Sequence, residues 1–295
     1  MGRPPRAYPA HGSTHGPKEA TADAQRLVDE HFQARASYWK TLYEEESLWG
    51  VIHQERRALA MAWIADLALA PGARVLEVGC GAGLLGVDLA RQGFAVECID
   101  SNPAMVDLAR AQAEEAGLAD RLRPKVGDAH VLGFEPGAFD LVVALGVVPF
   151  LHSPDVALRE MARVMAPDGR LLVTSDNRHR LNHLLDPRYT PLFTPLKAAL
   201  GNVLGRFGRD PRQGRMPAHL FSRRDVERLL HGAGLSVVRS KTLGFGPFTV
   251  LGRPALRERA ALWVHHRLQA LADRDTRVLR ATGGQHVILA CHTSA

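Results

Sequence analysis

The feature that most constrains this chain is the run Glu77-Val78-Gly79-Cys80-Gly81-Ala82-Gly83, which follows an apolar stretch and opens an amphipathic one. Three glycines at alternate positions between a strand and a helix describe a ligand-binding turn. Glycine lets the backbone approach a ligand closely, and the first turn of the helix offers free amide donors. In an open α/β sheet such a turn falls at the carboxyl end of a strand, where ligands bind. The run satisfies two spacings at once. One is an acid followed by glycines at 79, 81 and 83; the other, Gly81-x-Gly83-x-x-Gly86, is the dinucleotide fingerprint, a weak signal when it stands alone.

Around the turn, short apolar strands alternate with amphipathic helices. Strands are predicted at 74–79, 95–100, 122–127, 139–145 and 170–175, and helices at 83–92, 103–116 and 154–166. Ser101 and Asn102 ahead of Pro103 make a helix start, and Gly93, Gly117 and Gly169 fall where helices hand over to strands. This alternation implies a parallel sheet with helices on both faces. Upstream, 22–35 and 53–69 read as helices of a cap over residues 21–70, behind a disordered tail at 1–20 that carries no secretory signal. The main domain then occupies 71–295, with helix 222–233, strand 235–240, helix 257–272 and strand 286–291 resuming the rhythm after an irregular insertion at 177–220.

Three further residues bear on the ligand. Glu77 lies inside an otherwise apolar strand, and a buried carboxylate is costly without a partner. A sulfonium amino acid brings such a partner in its ammonium group. Asp100 ends the next strand, 23 residues on, placed to accept from two ribose hydroxyls, and Ser101 follows it. This acid serves a dinucleotide equally well. Asp128, with Ala129 after it, ends the third strand and is placed to accept from an adenine amino group.

That ordered set resembles the class I S-adenosylmethionine-dependent methyltransferases over about residues 72–175. The resemblance implies a Rossmann-like, seven-stranded, mostly parallel sheet whose last strand is antiparallel, with 235–240 and 286–291 as strands six and seven. It implies that Glu77, Gly79, Cys80, Gly81 and Gly83 hold the methionine part of S-adenosylmethionine. By the same likeness Asp100 holds the ribose, Asp128 and Ala129 flank the adenine, and Leu145 lies near the methyl donor. The stretch Tyr38-Trp39-Lys40-Thr41-Leu42-Tyr43 is similar to the small-molecule subgroup that includes quinone-ring and magnesium-protoporphyrin methyltransferases, where a tyrosine-bearing helix covers the cofactor; Tyr38 is the residue it points to. An NAD(P)-dependent oxidoreductase using Gly81, Gly83 and Gly86 is the competing reading.

His152 and Asp176 are the catalytic candidates, both placed on the rim beyond the fourth and fifth strands. A neutral imidazole at 152 would take the proton of an attacking hydroxyl, against the plainer reading of a helix-start histidine beside Ser153-Pro154. Methyl transfer also proceeds by alignment alone, with no base. The chain's net charge of +6 is local: ten Arg or Lys stand against two Asp between 177 and 224, leaving the remainder at −2. Within that segment Leu192, Leu196, Leu200, Val203, Leu204 and Phe207 form an apolar face suited to a lid over a hydrophobic substrate, or to peripheral membrane contact. Interleaved aromatics for base stacking are missing from it, so no nucleic-acid partner is expected. The wide, odd spacing of Cys80, Cys98 and Cys291 suits reduced thiols in a cytoplasmic protein, and without clustered carboxylates no metal is expected.

Overall fold

The computed structural model describes residues 28, 30, 45–187, 189–190, 218–274 and 276–293. Its centre is β1 (Arg74–Val78), whose apolar run is buried from the second residue onward because helices cover both of its faces. β1 pairs in parallel with β2 (Ala95–Asp100) on one side and β4 (Phe139–Ala144) on the other. β3 (Leu122–Val126) and β5 (Met165–Asp176) extend the parallel sheet outward. The C-terminal strand β7 (Gln285–His292) inserts antiparallel between β5 and β6 (Leu235–Leu243), giving the order β3-β2-β1-β4-β5-β7-β6. The expected Rossmann-like, seven-stranded sheet is therefore present, with its one antiparallel strand.

Helices α1 (Leu48–Asp66), α2 (Leu84–Arg91) and α3 (Pro103–Glu115) pack on one face through Ala60, Trp63, Leu85, Leu89, Ala109 and Ala113. The other face is covered by α4 (Pro154–Val164) and α6 (Arg223–Gly232), which bury Ala157, Leu158, Met161, Val226 and Leu230. A short helix α5 (Leu181–Leu185) follows β5. Helix α7 (Glu258–Asp273) packs on α1 at Leu48, Ile52 and Ala261, and α8 (Arg277–Thr282) leads into β7. Among the described residues no helix is long and apolar enough to cross a membrane.

Several boundaries differ from the sequence reading. α1 begins at Leu48 rather than 53, because the Ser47 hydroxyl accepts from Gly50 N and starts the helix early; it stops at Asp66, two residues before Ala68 turns to a φ of +48°. β5 begins at Met165, not 170. Met165 pairs with Phe139 and Arg170 with Leu141, so a bulge absorbs the Pro-Asp-Gly turn that sequence rules assign to a loop. Helix α8, helix α5 and a hairpin at 249–254 were not expected. Of the predicted helix 22–35, Val28 and Glu30 are described and helical; the tail 1–20 and the apolar face at 192–207 lie outside the described residues.

Candidate active site

Strand order reverses beside β1, and the crevice at the carboxyl ends of β1 and β4 holds a cavity of about 260 Å³. Glu77, Gly79, Cys80 and Gly81 line it, with Asp100 and Ser101 from the end of β2, Asp128 and Ala129 after β3, and Leu145 after β4. Tyr38 lies outside the described residues. Gly79 has a φ of +68°, and a Cβ there would fall 2.3 Å from Val147 Cγ2, so the turn closes directly against the segment after β4. Gly83 departs from expectation: it does not line the cavity. It sits at the N-cap of α2 with a φ of +80°, where a Cβ would meet Ala109 at 2.8 Å, so its work is seating α2 against α3.

Backbone donors tie the turn to β2. Gly79 N and Cys80 N donate to the Ile99 carbonyl at 2.7 and 3.0 Å, and Gly81 N donates to Asp100 Oδ2 at 2.9 Å. Asn102 N donates to Asp100 Oδ1, also at 2.9 Å. Asp100 thus holds the turn in shape through both of its oxygens. Glu77 is 5% exposed, and burial pushes its carboxyl up to about 8. The Cys98 thiol donates to its Oε2 at 3.3 Å, while the nearby Arg57 is committed to Asp88 at 2.5 Å. A Cβ at Gly86 would lie 2.8 Å from Leu122 Cδ1 and 2.9 Å from Glu77 Oε2, so α2 closes on both the core and this acid only with glycine there.

Residues 76–173 match the family model described as a methyltransferase domain. That segment is a methyltransferase domain. The ubiquinone biosynthesis O-methyltransferase of Caulobacter sp. (strain K31) is 36% identical over 107 residues, which make up 36% of this chain and 42% of that protein. The corresponding protein of Paracidovorax citrulli is 28% identical over 232 residues, 78% of this chain and 90% of the relative. The chain thus spans less than half the length of the first of these relatives. Among solved structures, magnesium protoporphyrin IX methyltransferase from Synechocystis PCC 6803, with bound S-adenosylhomocysteine, superposes with a TM-score of 0.61 at 18% identity, covering 91% of this chain and 100% of that one. The cyclase SpnF superposes with a TM-score of 0.59 at 18% identity, covering 91% and 96%. At such identities the likeness is one of fold, and the cyclase makes plain that this fold does not by itself fix the reaction.

The methyltransferase domain is roofed by residues that sequence reasoning missed. Trp49, Ile52, His53 and Arg56 line the cavity from α1. They recur at i, i+3, i+4 and i+7, a single helical face, and that spacing was the available signal. A Cβ at Gly146 would stand 3.0 Å from the Arg56 guanidinium, so this arginine reaches across the end of β4. Burial and Arg56 hold the His53 imidazole down to about 3, so it is neutral at any ordinary pH. Opposite, Gly244, Gly246 and Pro247 form a strap after β6. Asn182 Nδ2 donates to the Pro247 carbonyl at 3.1 Å, and Gly244 N donates to Gln269 Oε1 at 3.1 Å.

Phe245 N donates to His265 Nδ1 at 3.1 Å, and His265 Nε2 meets Glu55 Oε2 at 2.9 Å. Glu55, His265 and His266 are close enough to suggest a metal site. With Nδ1 accepting, however, His265 Nε2 carries the proton and donates to Glu55, which removes the lone pair a metal needs. The cluster braces the strap against α1.

The two catalytic candidates fare differently. Asp176 lines the cavity, held by Arg180 Nη1 at 3.7 Å and Gln285 Nε2 at 3.3 Å; Arg180 and Gln285 line it too. His152 does not line it, contrary to expectation. The turn Val148–Phe150 directs Leu151 inward and leaves His152 just ahead of Ser153, the N-cap of α4. There it stacks on His130, which does line the cavity, with ring centroids 3.6 Å apart. Asn177, next to Asp176, is structural, donating from Nδ2 to Ala281 O and Gly283 O at 2.8 Å each.

Proposed function

We propose that this chain transfers the methyl group of S-adenosylmethionine to an oxygen or carbon of a small hydrophobic acceptor of the quinone, lipid-like or secondary-metabolite kind. One observation carries the reading: the cavity lined by the acid-and-glycine turn, Asp100 and Asp128 is also lined by the apolar Trp49, Ile52, Val147, Pro149 and Phe150. The residues fit the cofactor. Its ammonium suits Glu77, a buried carboxyl that accepts from the Cys98 thiol and the Gly86 amide, and Asp100 lines the same cavity at the end of β2, where the ribose would lie. When bound, the cofactor supplies an electrophilic methyl group. The chain's own part is to align the acceptor from the β4 end, to exclude water under α1 and the strap, and to keep neutral His53 beside the acceptor.

The likeness to ubiquinone biosynthesis O-methyltransferases supports an aromatic or quinone-like acceptor and methylation at oxygen. The dinucleotide reading loses ground because the matching family and the relatives named above are methyltransferases. We place the protein in the cytoplasm, with no nucleic-acid partner and with membrane contact through 192–207 as the route for an apolar substrate.

The experiment is incubation of the purified chain with methyl-labelled S-adenosylmethionine and, separately, lipid and aqueous extracts. Label in the organic phase is expected. Label confined to the aqueous phase contradicts the hydrophobic acceptor, and label in neither contradicts the transferase reading.

A further inference from the structure

Asp128 is set in the loop after β3, and its side chain is engaged on one oxygen alone. Oδ1 accepts twice from His130, from the backbone N at 2.9 Å and from Nδ1 at 2.6 Å. Among the described residues no donor reaches Oδ2. His130 is itself fixed. Its side chain is 7% exposed, and its Nε2 faces the backbone N–H of Ser153 at 3.3 Å. A backbone amide only donates, so Nε2 is the acceptor nitrogen and the ring proton sits on Nδ1. The tautomer is therefore set by the main chain at the start of α4, and the proton it leaves on Nδ1 points to Asp128. The His152 ring covers His130 in a stack with 24° between the planes. Burial and the adjacent His130 hold the His152 imidazole below its ordinary value.

We propose that His130 is the positioning residue of the adenine site: it relays the Ser153 amide to Asp128, ties up Oδ1, and so leaves Oδ2 to accept from the 6-amino group of the nucleoside. The inference rests on the reading of the cavity as an S-adenosylmethionine site. A carboxylate with two free rotamers reads a 6-amino group poorly, whereas one pinned by a short hydrogen bond presents a fixed acceptor and repels a 6-carbonyl. His130 acts through Asp128 and carries no chemistry of its own. His152 serves as its cover.

The test compares binding of S-adenosylhomocysteine with that of S-inosylhomocysteine, which carries a 6-carbonyl, by calorimetry on the full chain. The native chain is expected to prefer the adenine form by about tenfold or more, the worth of one charged hydrogen bond. His130→Phe keeps the ring but not the donor, and should bring that ratio to within about twofold of unity. His130→Asn returns an N–H near the position of Nδ1 and should restore the preference, which a role in packing would not predict. His152→Leu keeps the donor and should keep the preference. If His130→Phe fails to fold, His130→Gln, whose longer side chain carries the donor past Asp128, takes its place with the same expected loss.

A variant lacking the donor that retains the native ratio overturns the proposal, as does an asparagine variant that falls with the phenylalanine one. A native chain that binds both nucleosides equally overturns it while leaving the cofactor reading standing. A native chain that binds neither removes both.

Discussion

Asp100→Ala should weaken S-adenosylhomocysteine binding by about a hundredfold, more than any other single truncation in the cavity, because two losses coincide. The substitution deletes the acceptor pair proposed for the ribose. It also releases Gly81 N and Asn102 N, the two amides that Asp100 holds at 2.9 Å, so the turn over which the methionine part lies loses its shape. Asp100→Asn separates these contributions. Its amide oxygen still accepts from one backbone donor, so its affinity should fall between the two. Calorimetry measures the affinities, and circular dichroism checks that the sheet survives. An alanine variant that binds within about threefold of the native chain would show that neither contribution matters to the cofactor.

The second large effect concerns Glu77 and pH. Its folded-state carboxyl lies near 8, against an ordinary value of 4.5. Between those values the folded chain keeps a proton that the unfolded chain has lost. Stability of the ligand-free protein therefore falls as pH rises through that window and levels off above 8. The span corresponds to an effect on the order of 4 kcal/mol between pH 5 and pH 8. Glu77→Gln removes the titration while keeping the shape, so the variant should lack this decline and become the more stable protein at pH 8. Urea midpoints for both proteins at several pH values measure it. Parallel curves would mean that Glu77 has a cationic partner in the folded chain. An ammonium brought by the cofactor acts in the opposite sense, favouring the carboxylate, so ligand should rescue the native chain most at the alkaline end.

The parts of this site that sequence made legible are local. The turn from Glu77 to Gly81, Asp100 and Asp128 each sit at a strand end, and strand ends announce themselves through apolar runs followed by glycine or a helix start. What stayed hidden depends on contacts between distant segments. The strap at Gly244–Pro247 and Gln285 reach the cavity because β7 slips between β5 and β6, a pairing that local pattern does not encode. The described cap wall is α1; its Trp49–Arg56 face is visible in the spacing, but only a cavity gives that face a meaning. His152 stacks on His130 rather than lining the cavity because the tight turn at Val148–Phe150 takes up the residues between β4 and the start of α4. Gly83, a glycine of the same motif, sits at the N-cap of α2 against Ala109, a contact between two helices that the motif alone does not reveal.

The central claim is that the acid-and-glycine turn holds S-adenosylmethionine rather than a dinucleotide. Calorimetric titration of the native chain with S-adenosylhomocysteine, NAD and NADP in turn tests it most directly. Saturable one-to-one binding of S-adenosylhomocysteine, with no heat of binding from either dinucleotide, is the predicted result. Binding of NAD or NADP without binding of S-adenosylhomocysteine would contradict the account.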